Sequence, residues 1–309
     1  MSKDQHETFQ LVCRHARQAA LVQSSAETLQ WDERTGLPRK AGEYRAQQIA
    51  MLSGKAHAMR TEQRYGDQLA DLAERVSGED QNGDIAVTAG ELHRDWQRDC
   101  KLPGDLVERI ATASIRGQQE WDAARQADDF ETFAPVLRQM IELKREAGQR
   151  MAEGTTLSVY EALLDEYEPG ARTADLRKTF DDLRQPLVDL LRAIQHAPQQ
   201  PDESVLHGHF PASIQKSFCR DLAQKIGFDF DRGRLDETSH PFCTTLGPHD
   251  CRILTRYDEQ FLPSGLFGML HEAGHGMYEQ GLREDWFGLP LGHYVSLGIH
   301  ESQSRMWEN

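Results

Sequence analysis

The run Met269-Leu270-His271-Glu272-Ala273-Gly274-His275 decides how this chain is read. On a helix, residues four apart lie on one face, one turn above the other. His271 and His275 then present two imidazoles to a single Zn²⁺, and Glu272 is placed to act as general base on a water held there. The flanks support a helix. Pro263-Ser264 offers a start signal and Gly281 a stop. Leu266, Phe267, Met269, Leu270, Met277 and Tyr278 supply the apolar surface of a buried element. The competing reading of the run is a core helix with two satisfied histidines.

A catalytic zinc site takes three protein ligands and leaves one position open. Glu279 continues the same row but sits one turn, about 5–6 Å, past His275, whereas the ion lies between the histidines. A metzincin continuation is excluded, because Tyr278 and Gly281 stand where that pattern needs Gly and His. Downstream acidic and imidazole groups are Glu284, Asp285, His293, His300, Glu301 and Glu308. Residues 291–307 read as a second helix with Leu297, His300, Glu301 and Ser304 on one face. Spacing leaves both His300 and Glu301 open as the third ligand.

At 309 residues the chain holds one large domain or two smaller ones. A 38% hydrophobic, 28% charged composition describes a polar, helix-rich chain. No run of about 18 apolar residues predicts a membrane span, and the charged start Met1–Glu7 lacks an apolar signal core. Five scattered cysteines, Cys13, Cys100, Cys219, Cys243 and Cys251, read as reduced thiols of a cytoplasmic protein. A formal net charge of −15 disfavours nucleic acid and anionic membranes as partners.

Helical periodicity covers residues 6–30, 41–62, 105–126, 133–152, 173–196 and 211–226, with a turn at Thr35-Gly36-Leu37-Pro38 and a loop at 196–201. In the fourth of these, Phe133, Val136, Leu137, Met140, Ile141 and Ala147 form an apolar stripe. The β signal is confined to Phe242–Thr245 and Arg252–Tyr257, joined by the turn-forming Leu246-Gly247-Pro248-His249. The fold class expected is mainly α, a zincin-type helical metallopeptidase with a small β-hairpin or sheet element beside the zinc-binding helix.

The motifs then resemble a known family. His271-Glu272-x-x-His275 followed by His300-Glu301-Ser302-Gln303 is similar to the carboxypeptidase Taq family, the M32 metallocarboxypeptidases. His240-Pro241-Phe242 and Asp250-Cys251-Arg252 match further family motifs, and Thr255-Arg256-Tyr257 follows as in relatives. Residues 227–231 and 233–236 resemble the run leading into them. Residues 160–170 farther upstream, and Trp31–Pro38 with Glu43–Ala50 near the start, resemble further family segments. The similarity runs along essentially the whole chain.

The resemblance implies a single peptidase domain over 1–309, with 1–200 a helical part covering a cleft and 201–309 carrying the zinc site. It implies His271, His275 and Glu301 as metal ligands and Glu272 as general acid/base. It implies Asp250 as a carboxylate orienting a ligand histidine, and His240, Arg252 and Gln303 as residues shaping the substrate cleft. Zn²⁺ is the implied cofactor, with Co²⁺ or another divalent metal also suited to a His₂Glu set. Peptides are the implied substrates and a homodimer the implied assembly. Two departures stand out: Leu254 replaces an expected Thr, and the chain stops at Asn309, inside the predicted second ligand helix. The latter reads as C-terminal truncation, with a later carboxylate-binding arginine missing; Arg252 and Arg256 are the nearby cationic alternatives. The activity expected is removal of C-terminal amino acids from peptides. The alternatives are a zinc oligopeptidase or endopeptidase, or an inactive metal-binding helical fragment.

Overall fold

Wherever apolar side chains recur three and four residues apart, the computed structural model, which describes residues 3–78 and 80–309, shows a helix. Met1 and Ser2, part of the charged start, lie outside the described residues. The helices are α1 (Lys3–Thr35), α2 (Gly42–Arg60), α3 (Gln63–Val76), α4 (Asp84–Asp99), α5 (Gly104–Ala127) and α6 (Phe130–Ala152). They continue as α7 (Val159–Leu164), α8 (Thr173–Gln195), α9 (Ala212–Ile226), α10 (Leu262–Gln280) and α11 (Leu297–Glu308).

The helices α1, α2, α5 and α6 pack in succession as long antiparallel neighbours, while α3 packs on α1 and α4 on α3. Tyr65, Leu69, Leu72 and Val76 of α3 are buried against Phe9, Val12, Cys13 and Ala16 of α1 and Ala89 and Leu92 of α4. A second cluster joins Ala26, Ala46, Ile49 and Ile115. A third joins Leu106 and Ala113 of α5 to Leu143, Ala147 and Met151 of α6 and Ala162 of α7. Each fully buried aliphatic side chain contributes about 1.5–3 kcal/mol relative to its exposed state.

The sheet positions the site. Its strands are β1 (Gly233–Glu237), β2 (Phe242–Gly247) and β3 (Asp250–Thr255), in the order β1-β3-β2. β1 runs parallel to β3, and β2 antiparallel to it. The hairpin is tighter than the sequence suggests: only Pro248 and His249 lie between the strands, and His249 takes φ +65°.

Several boundaries differ from those expected. α3, α4, α7 and β1 were not anticipated. Ser264 does not cap α10; the helix starts at Leu262, and Pro263 lies in its first turn, where its missing N–H costs nothing. Gly281 does end α10, but at φ −89°, so no left-handed cap is formed. The second site helix is shorter at its start: residues 290–292 make a 3-10 turn, and Ser296 caps α11 by accepting from the Ile299 amide at 3.2 Å.

Candidate metal centre

Helix α10 is fixed on two sides by different means. Met269 and Ala273, four residues apart, are buried against Cys219 and Ala223 of α9, Phe228, and Cys251 and Ile253 of β3. On that side Gly276 is required, because a Cβ there would meet Phe228 at 2.6 Å and Ile253 at 3.0 Å. On the other side Gly274 lets α11 approach: its Cβ would lie 2.7 Å from the Ser304 Cα and 2.8 Å from the Gln303 carbonyl oxygen. The glycine between the two histidines thus sets the distance at which α11 presents Glu301.

Those three side chains converge. The Nε2 atoms of His271 and His275 are 3.2 Å apart. Glu301 Oε1 lies 3.6 Å from His271 Nε2, and its Oε2 lies 3.5 Å from His275 Nε2. A tetrahedral metal with bonds of about 2.0–2.1 Å has ligand–ligand edges of about 3.3–3.4 Å, so this triangle has the dimensions of one face of such a sphere. Among the described residues, it is the group of acidic, imidazole and thiol side chains with the spacing to hold an ion. The Glu301 side chain is 55% exposed, which leaves the fourth direction open to solvent.

The protonation pattern suits the same use. His271 Nδ1 donates to Glu308, which also pairs with Arg305. With that nitrogen protonated, Nε2 keeps its lone pair toward the centre of the triangle. Burial, then His300 and His271, push His275 down to about 4, so its ring is neutral as a metal ligand must be. Its Nδ1 is buried without a hydrogen-bond partner. Glu272 is 5% exposed, and burial, then the Glu301 and Glu308 carboxylates, push it up to about 8. A cation in the triangle opposes that shift.

The remaining expected residues are placed elsewhere. His300 turns away from the triangle: it stacks on His275 with ring centroids 4.3 Å apart and bonds Glu279 at 2.9 Å. Asp250 touches neither ligand histidine. It forms a two-pronged pair with Arg252 at 2.8 and 2.9 Å, residues two apart on one strand face, and the carboxylate that orients a histidine is Glu308 instead. The Arg252 guanidinium also lies 4.2 Å over the ring of Trp31. His240 is exposed, with its ring centroid 5.7 Å from that of Trp121 in an edge-on arrangement. Gln303 faces a groove between α10 and α11 with Met277, Tyr278 and Trp307, on the opposite side of α11 from Glu301.

Glu308 is the residue to which sequence reasoning gave no orienting role. Its signal was present: it follows Glu301 by seven residues, two turns along one helical face. Gly274 was likewise quoted only as a filler of the motif.

A family model described as carboxypeptidase Taq (M32) metallopeptidase matches residues 12–309. The chain is 38% identical over 308 residues to thermostable carboxypeptidase 1 of Thermus thermophilus, a match covering 97% of this chain and 60% of that protein. It is 34% identical to carboxypeptidase 1 of Bacillus subtilis, over 91% of this chain and 55% of that one. Among solved structures, the BsuCP crystal structure superposes with a TM-score of 0.91 at 32% identity, covering 100% of this chain and 60% of that one. The M32 carboxypeptidase from Deinococcus radiodurans R1 gives 0.83 at 34% identity, covering 98% and 60%. The chain therefore spans about 60% of the length of these relatives.

Proposed function

The chain belongs to the carboxypeptidase Taq (M32) metallopeptidase family, and from that premise we propose that it is the metal-site part of a zinc-dependent carboxypeptidase. The observation that carries the reading is the triangle of His271, His275 and Glu301 with buried Glu272 beside it. The two histidines and Glu301 would hold the ion, which when bound supplies Lewis-acid polarisation of the scissile carbonyl and a lowered pKa for water.

The chain's own residues do the rest. Glu272 accepts the proton of the attacking water and later delivers it to the leaving amine, a role open to a buried carboxylate once a cation in the triangle opposes the upward push of burial and of Glu301 and Glu308. Glu308 keeps His271 in the Nδ1–H tautomer. A free substrate carboxylate needs a cationic fork. Arg252 is committed to Asp250, whereas Arg256 is exposed and without an ion pair among the described residues. Asp250 and Arg252 then shape the wall near Trp31, and His240 lies exposed beside Trp121, whereas Gln303 faces away from the metal triangle. No described helix is long and apolar enough to cross a membrane.

The test pairs metal analysis with product analysis. About one zinc per chain is expected, with release of the C-terminal amino acid from N-blocked peptides. Glu272→Gln should lower that release at least about 10²-fold while leaving the zinc bound. Internal cuts would reassign the chain to the oligopeptidases, and bound zinc without any hydrolysis would make it a binding fragment only.

A further inference from the structure

The two histidines of the triangle are held by different means. His271 donates from Nδ1 to the Glu308 carboxylate. His275 has no such acceptor among the described residues: its Nδ1 is buried, and the His300 backbone faces it without meeting hydrogen-bond geometry. A metal-bound imidazole whose second nitrogen lacks an acceptor loses the usual constraint on its ring direction. A ring supplies the constraint here instead. His300 lies nearly parallel to His275, with 17° between the planes and 4.3 Å between the centroids.

His300 is itself enclosed. Its Nε2 bonds the Glu279 carboxylate at 2.9 Å, and the two side chains are only 11% and 12% exposed. Tyr278 meets the ring edge-on at 5.5 Å, and Tyr294 lies tilted against it at 4.8 Å. The helices place this box in step with the triangle. Glu279 stands one turn past His275 on the same face of α10, so it reaches the ring stacked on His275 and not the ion position. His300 precedes Glu301 by one residue on α11, a rotation of about 100°. One helix thus presents a carboxylate to the triangle and a flat ring to His275. A carboxylate accepting from Nε2 enriches the His300 ring in electron density, whereas a cation on His275 depletes that ring, and stacked rings of this polarity attract.

We infer, on the proposed reading of the triangle as a metal site, that His300 is a positioning residue for His275 and that Glu279 acts through it, fixing the ring plane in which Nε2 meets the ion.

The test uses Glu279→Gln, which keeps an acceptor oxygen and the shape but removes the charge. Zinc affinity, measured against a competing chelator, should fall about 10-fold, with the melting of the ion-free chain nearly unchanged by circular dichroism. The visible absorption of bound Co²⁺ should shift with it, because His275 tilts. His300→Phe keeps a flat ring against His275 but offers Glu279 no donor, so in that background Glu279→Gln should cost no further affinity. Equal zinc affinity in wild type and Glu279→Gln would overturn the inference and leave the metal site standing. So would a loss that persists in full beside His300→Phe, because the carboxylate would then act on the ion directly. Lowered melting with affinity and cobalt absorption unchanged would also overturn it, leaving the pair a packing role alone. A wild-type chain that binds neither ion would overturn the metal site itself, and this positioning with it.

Discussion

Helices α10 and α8 carry similar amounts of apolar side chain, yet they have opposite fates. Of the 19 residues of α10, seven are buried, three of them glycines, of which Gly276 admits the sheet side and Gly274 admits α11. The 23 residues of α8 have a cleaner apolar stripe and bury none of it. The difference shows that a stripe makes a helix, but only matched surfaces make a site. In α10 the packing fixes the histidines where α11 supplies Glu301; in α8 the same kind of pattern stays exposed.

The comparison breaks most visibly by truncating one side chain on each helix. Met269→Ala removes a fully buried side chain between β3 and α9. It should cost about 2–5 kcal/mol in urea unfolding. Leu190→Ala on α8 should change stability by less than about 0.5 kcal/mol. A comparable loss from both would mean that α8 is packed in solution, and the contrast between the helices would fail.

Gly274→Ala sharpens the contrast at the site. The added Cβ must displace the backbone of α11 at Ser304, an overpacking cost of about 1–3 kcal/mol. It also moves Glu301 off the histidines, so zinc affinity should fall together with melting temperature. The corresponding change on α8, Ala193→Gly, should leave zinc affinity untouched. Glu308→Gln separates positioning from packing. It weakens the acceptor on His271 Nδ1, and zinc affinity measured against a competing chelator should drop about 10–100-fold with the melting temperature nearly unchanged. Unaltered affinity would remove Glu308 from the site.

Much of this contrast was legible in the chain itself, and the rest fails for identifiable reasons. The i, i+4 histidines, the long helices α1, α2, α5, α6, α8 and α9 and the β2–β3 hairpin follow from local pattern. Strand β1 does not, because Gly233-Arg-Leu-Asp-Glu237 has no apolar alternation and exists only by pairing with β3. Helix α3 had a readable stripe at Tyr65, Leu69, Leu72 and Val76, diluted by the charged residues between them. The choice between His300 and Glu301 depends on the rotation of α11 about its axis. That rotation is set by the Gly274–Ser304 approach, a contact between residues 30 apart in sequence. No local pattern states that an apolar stripe lacks a cover, so α8 read as an ordinary packed helix.

The smallest effect lies where α8 joins the body. The Glu161 carboxylate accepts from the Ser158 amide and hydroxyl at 3.0 Å each, closing the cap of α7, and from the Thr173 amide at 3.0 Å, the first residue of α8. The Ser158 and Thr173 amides, in that order, hold its pKa down to about 2. The folded chain therefore binds fewer protons than the unfolded chain between about pH 4.5 and 2, and stability conferred by the charge rises with pH across that window. It is fully present above the ordinary carboxylate value and lost as pH falls toward 2. Glu161→Gln keeps one acceptor oxygen and removes the charge. Wild type should melt slightly above the variant at pH 6, and the gap should close steadily as the pH is lowered through 4.5. A gap that is constant with pH would show that shape at this joint, and not charge, fixes the start of α8.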